Sequence, residues 1–146
     1  MTGGQQGRPR SVSVRREALD DLRSLNVRRP AVAQEVLRLL RGLESGTVRP
    51  RRLRDFSKTG DLRDCGKIQV VVPDHPEHRI VVREREANHF EVVEVLVIEE
   101  RSDDLAYLLA GLRLGRIPDP VRGSDLQRRI ARIIAARERT TGQPPT

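Results

Sequence analysis

The sequence predicts an α+β domain: an N-terminal strand and a helical hairpin packed on an antiparallel sheet with a three-stranded meander, followed by C-terminal helices. Three observations predict it. SVSV, residues 11–14, alternates like a short strand. Two consecutive stretches then carry apolar residues at helical spacing. Three Val/Ile-rich runs follow, separated only by short turn-like segments, so they pair as antiparallel neighbours. A block of helices followed by a block of strands gives two layers rather than alternating βαβ units.

The first helix is read from REALDDLRSL, with Ala18, Leu22 and Leu25 on one face. The second is PAVAQEVLRLLRGLESG, where Val32, Val36, Leu39, Leu40 and Leu43 form a stripe. Pro30 stands at its start and Gly46 beyond its end, as helix boundaries favour. The strands are KIQVVV (67–72), RIVVRERE (79–86) and EVVEVLVIEER (91–101). In the middle strand Ile80 and Val82 face one way, and Arg79, Arg83 and Arg85 face the other with Val81. One packed face and one polar face are therefore expected. SDDLAYLLAGLRLG is a third helix with Ser102 as N-cap and Asp103 and Asp104 in its first turn. Leu105, Leu108, Leu109 and Leu112 form its stripe, and Tyr107 falls off it.

The main domain is expected over 11–116. Residues 117–139 read as a linker and an appended arginine-rich helix with Leu126, Ile130, Ile133 and Ile134 on one face. That helix is open to three uses: packing on the core, forming a homodimer, or binding nucleic acid. Residues 140–146 read as a disordered tail. MTGGQQGRPR is similar to a phage-capsid epitope tag with one residue missing, so 1–10 are read as disordered or non-native and set aside.

Composition narrows the function classes. The chain has 146 residues, 28 Lys and Arg against 21 Asp and Glu, and a net charge of +7. That balance favours an anionic partner: RNA, DNA or an acidic protein. Two Phe, one Tyr and no Trp argue against a platform that stacks many bases. No apolar run is long enough to span a bilayer and no signal-like segment stands at the start, so a soluble, cytoplasmic protein without membrane contact is expected. The single Cys65 reads as a small buried hydrophobe. His75 and His78 read as solvated loop residues, since no metal-ligand spacing surrounds them. No metal or cofactor is expected.

Only Lys58 and Lys67 are lysine; every other basic side chain but histidine is arginine. Lys67 opens the first meander strand, Arg79 opens the second, Arg101 closes the third, and Tyr107 lies in the next helix. Regular antiparallel register brings Lys67, Arg79 and Arg101 around one concave region. Such a set suits metal-free RNA cleavage. A base takes the 2′-hydroxyl proton, cations stabilise the charge on the phosphoryl oxygens, and an acid protonates the 5′ oxygen. Arginine grips phosphate but shuttles protons poorly, whereas a lysine pKa falls when cations crowd it. RPRRLRD, residues 49–55, adds Arg49, Arg51, Arg52 and Arg54, read as a solvated loop or a phosphate-backbone contact.

The order of elements, with LRDCGKIQV, HRIVVREREANHFEVVEVLVIEER and the Arg101-to-Tyr107 spacing, resembles the RelE/ParE superfamily of bacterial toxin–antitoxin toxins, closest to the RelE branch. The resemblance implies an endoribonuclease that cuts mRNA in the ribosomal A site and is neutralised by a cognate antitoxin protein. It implies catalytic roles for Lys67, Arg79, Arg101 and Tyr107. It implies substrate or ribosomal RNA contacts for Arg49, Arg51, Arg52, Arg54, Gln69 and Arg83. The chain departs from the RelE pattern twice: Gln69 stands for a second lysine, and Glu99-Glu100 for a Gly-Lys pair. Two other readings stay open: a non-catalytic member that binds RNA or antitoxin, and a ParE-like inhibitor of gyrase.

Overall fold

Alternating Val and Ile build one central sheet, and each of its faces is covered by different helices. The computed structural model describes residues 11–53, 55–56, 60–87, 90–100, 105–116, 127–133 and 135. Expectations for the leader, Arg54, Arg101, the Ser102 cap, the linker and the tail lie outside the described residues.

In chain order the elements are β1 (Ser11–Val14), α1 (Arg16–Arg28), α2 (Pro30–Ser45), β2 (Arg51–Arg52), β3 (Asp55–Phe56), β4 (Gly60–Asp61), β5 (Cys65–Val70), β6 (His78–Ala87), β7 (Phe90–Glu100) and α3 (Leu105–Arg113). Residues 127–133 form a further helix, α4. The main sheet runs β1-β7-β6-β5-β2, and β3 and β4 form a separate hairpin. The meander β5-β6-β7 is antiparallel as expected. β1 pairs parallel with β7, so the sheet is mixed. No described helix is long and apolar enough to cross a membrane.

The α1–α2 hairpin lies on one face. Ala18, Leu25, Val32, Val36, Leu39 and Leu43 pack there against Ile68, Val70, Ile80, Val82, Val95 and Ile98. Burying each large aliphatic chain contributes about 1.5–3 kcal/mol.

The second face, expected to be polar, is also packed. Leu53, Cys65, Val81, Leu96 and Val97 meet Leu105, Leu108 and Leu109 of α3 and Ile130 of α4. The reason is a bulge in β7. Val81 pairs with Val97 but Val82 pairs with Val95, which leaves Leu96 as the extra residue. Leu96 and Val97 therefore both join this second core, each 0% exposed. Strict alternation along the sequence hides that. Of the three uses open to the appended helix, Ile130 and Ile133 take the first, packing within the chain.

The bulge falls where β1 ends. β1 pairs with β7 as far as Val14 and Val95, and Arg15 N–H still donates to Val95 O at 3.0 Å. Beyond it the edge of β7 would be open. Asp21 of α1 and Arg113 of α3 close it. Ile98 N–H donates to Asp21 Oδ2 at 3.0 Å, and Arg113 Nη1 donates to Leu96 O at 2.9 Å. Arg113 also donates to both Asp21 oxygens, at 2.7 and 3.0 Å. Burial works against the Arg113 charge, but the bonds and charge of Asp21 outweigh it and raise its pKa.

Two smaller expectations are corrected. His78 is no solvated loop residue: it opens β6, pairs with Val70 and Glu100, and is 0% exposed. Its Nδ1–H donates to Pro76 O at 2.8 Å, and burial lowers its pKa. The loop expected at 49–55 contains β2, which extends the sheet beside β5.

Asp21→Ala leaves Arg113 without its counter-ion and Ile98 N–H without its acceptor. We expect a loss of about 3 kcal/mol, read as a lower urea midpoint at unchanged slope. Asp21→Asn keeps an acceptor and should cost less.

Candidate functional site

Antiparallel partners point their side chains to the same face, so register alone assembles a candidate site. Lys67 pairs with Val81 on one side and with Arg51 on the other. In the next row Gln69 pairs with Arg79, and Arg79 with Glu99. Arg79 is diagonal to Lys67, about 7–8 Å away between Cα positions. Since Val81 belongs to the α3 core, this is the α3 face of the sheet. Gly66 admits the outer strand: a Cβ there would lie 2.6 Å from Pro50 Cβ. Without one, β2 docks and sets Arg51 opposite Lys67.

Arg79 is held by two side chains. It is 4% exposed. Its Nε donates to Tyr107 Oη at 3.0 Å, and its Nη1 forms an ion pair with Glu77. Gln69 Nε2 also donates to Glu77, at 3.5 Å. Tyr107 is half-buried against the α3 core, which holds its ring while its hydroxyl reaches Arg79. Lys67 and Arg51 contrast with this. Lys67 is half-buried, Arg51 is exposed, and neither has an acidic partner among the described residues.

The structure thus brings together Lys67, Gln69, Arg79, Tyr107 and Arg51. It sets the other candidates apart. Arg83 lies on the same face beside Cys65, engaged by Glu94 through an Nε bond of 3.1 Å. Arg52 lines a separate cleft with Arg63, Asp64 and Arg116. Arg49 is exposed just before β2. Arg101 and Arg54 lie outside the described residues. Glu99 and Glu100, which stand where the RelE pattern has a Gly-Lys pair, are 4% and 8% exposed, and Glu99 pairs with Arg28 at 4.0 Å. They sit inside the fold rather than facing solvent.

Sequence reasoning missed Glu77. A signal existed: in extended chain, residues two apart point the same way, and Glu77 stands two before Arg79. Among the described residues no three His, Cys, Asp or Glu side chains group as a metal site would require.

Cys65 is 2% exposed. Burial, and next the Asp64 charge, push its thiol from 9.0 up to about 12. It is a packing residue, not a nucleophile. The unfolded chain therefore gives up this proton first as pH rises. Stability should fall between about pH 9 and 12, and Cys65→Ala should flatten that fall in denaturation measured across this range.

No family model matches the chain, and no curated protein does. Among solved structures it is similar to a YoeB/ParE toxin from Agrobacterium tumefaciens, with 16% identity and a TM-score of 0.47. The match covers 62% of this chain and 98% of that one.

Proposed function

We propose that this chain is the toxin of a toxin–antitoxin pair, a metal-independent endoribonuclease that cuts mRNA on the ribosome. One observation carries the reading: the Arg79–Tyr107 bond of 3.0 Å, on the same sheet face as Lys67, which has no acidic partner among the described residues. The sequence resemblance supplies the substrate class.

In this reading Lys67 accepts the 2′-hydroxyl proton. The O2′–P bond forms while Arg79 and Arg101 neutralise the phosphoryl oxygens. The P–O5′ bond breaks as O5′ takes the proton that Lys67 accepted, leaving a cyclic phosphate and a 5′-hydroxyl and returning Lys67 to its starting state. Tyr107 holds Arg79 by its Nε and offers its ring to the nucleotide. Glu77 occupies the place of the phosphate until RNA arrives, exchanging one anion for another on the same guanidinium. The cognate antitoxin would neutralise the toxin by covering this face.

A second reading, RNA binding without cleavage, is favoured by the near-complete burial of Arg79 and by Gln69. Induced expression in a bacterial host, with mRNA 5′ ends mapped with and without translation, separates them. Translation-dependent cuts support the nuclease. Growth arrest with intact mRNA and damaged DNA moves the case to gyrase, and neither effect leaves a binding module.

Arg79→Ala should relieve growth arrest in a chain that stays folded by circular dichroism. Arrest that persists removes Arg79 from the chemistry. Lys67→Arg keeps the charge but not the proton shuttle, so cleavage should fall at least about 10²-fold. Activity near wild type would leave Lys67 as a fixed charge only. Glu77→Gln removes the competing carboxylate, and RNA should bind more tightly in a filter assay.

A further inference from the structure

We propose that His78 is an acid-sensitive latch: its protonation releases the start of β6 and, with it, the row that holds Arg79. RNA chemistry plays no part in it.

A tight helical corner encloses His78. Only Arg29 separates α1 from α2, and it serves both helices. Its N–H donates to Leu25 O at 2.7 Å, and its O accepts from Val32 and Ala33 N–H at 3.0 and 3.1 Å. The corner thus carries two cations, Arg28 and Arg29, on a fixed backbone. One row of the sheet belongs to the same layer. His78 pairs with Val70 and Glu100, in step with Ile80 and Ile98, so all three turn toward the α1–α2 face. Arg79, the next residue, turns to the opposite face.

The imidazole has one proton and no place for a second. It is 0% exposed. Nδ1–H donates to Pro76 O at 2.8 Å, which leaves Nε2 bare. Nε2 is buried with no hydrogen-bond partner among the described residues, and so is Arg29 Nε. A proton on Nε2 would create a buried cation. Burial, the largest influence, holds the His78 pKa below its ordinary value of about 6.5. The neighbouring charges divide. Glu100, its cross-strand partner, favours the second proton, while Arg29 and Arg28 oppose it. Glu99 is engaged with Arg28 at 4.0 Å, and β5 contributes the uncharged Val70. Swinging the ring into solvent relieves the cation. It also breaks the Pro76 bond and the first pair of β6. The ion pair of Arg79 with Glu77 and its bond to Tyr107 depend on that same strand end, so the row loosens with it.

The unfolded chain takes up this proton first as pH falls. The stability it represents is therefore complete above about pH 6.5 and is lost below it. Asp64 and Glu35, whose carboxyls are held below 3.8 and 4.5, lose their contribution only at lower pH.

The test is urea unfolding of the full chain at about pH 8, 6.5 and 5, followed by far-UV circular dichroism and by tyrosine emission. With one Tyr and no Trp in the chain, the emission reports Tyr107 alone. Below pH 6.5 the wild-type unfolding constant should rise by up to about tenfold per pH unit, the effect of one proton. At pH 5 the Tyr107 signal should change at lower urea than the dichroism, whereas at pH 8 the two should coincide. His78→Asn keeps a donor for Pro76 O but takes no proton, so both effects should vanish. Equal acid sensitivity in the two proteins, or coincident transitions at pH 5, overturns the latch. Where His78→Asn fails to fold, the histidine ring resonances of the wild-type chain decide. A native His78 signal that titrates at or above pH 6.5 overturns the proposal, and one that keeps its neutral position below that pH supports it.

Discussion

The Asp21–Arg113 pair is the constraint on which the functional face depends. β1 ends at Val14, and the next stretch of β7 has polar backbone groups that no strand pairs. A carboxylate from one side of the sheet and a guanidinium from the other satisfy Ile98 N–H and Leu96 O. That makes the bulge at Leu96 tolerable, and the bulge in turn sends both Leu96 and Val97 toward α3. The apolar patch so formed docks α3, and α3 carries Tyr107 to Arg79. A pair that is itself only modestly favourable, because both charges are largely desolvated, is costly to break on one side. Its effect reaches the candidate site through packing, not through contact.

The net charge of +7 is not spread evenly. Cations that the fold buries have been matched: Arg113 with Asp21, Arg79 with Glu77, Arg83 with Glu94, Arg28 with Glu99. An unmatched buried charge would cost several kcal/mol, so these pairs follow from burial. Lys67, Arg51 and Arg52 lack acidic partners among the described residues and gather where β2 meets β5. Solvent lets them remain so. The outer edge of the sheet thereby carries free positive charge on short, well-placed elements. That is where an anionic chain gains most from contact.

The helical hairpin and the meander were legible because their apolar periods are regular. Val32, Val36, Leu39 and Leu43 are all buried, and β5, β6 and β7 pair in the expected sense. Lys67 and Arg79 share a face because strand register follows from short turns. What failed did so where one residue broke the period or where the partner was distant in sequence. The extra Leu96 hid the second packed face. His78 looked like loop because prolines precede it at positions 73 and 76, yet it already belongs to β6. Nothing local in Asp21 announces Arg113, 92 residues away. Asp64 and Arg116 likewise meet only through the turn at Gly115.

The one lysine in the sheet acquires its meaning from this arrangement. The arginines of the sheet that turn inward, Arg79 and Arg83, are donors held by a carboxylate and, in Arg79, by a hydroxyl as well. Such groups are ready for a phosphate without reorganising, which is what electrostatic stabilisation requires. They are also committed: in the proposed reaction Arg79 exchanges Glu77 for an incoming anion, so net affinity at that position is a difference between two similar bonds. A site of that kind gains little from ground-state binding and needs its grip from elsewhere along the strand. In the proposed reading Lys67 and Arg51, which lack acidic partners among the described residues, meet that need. In that reading proton transfer falls to Lys67, because arginine keeps its proton, and that is what a lysine adds to the surrounding arginines.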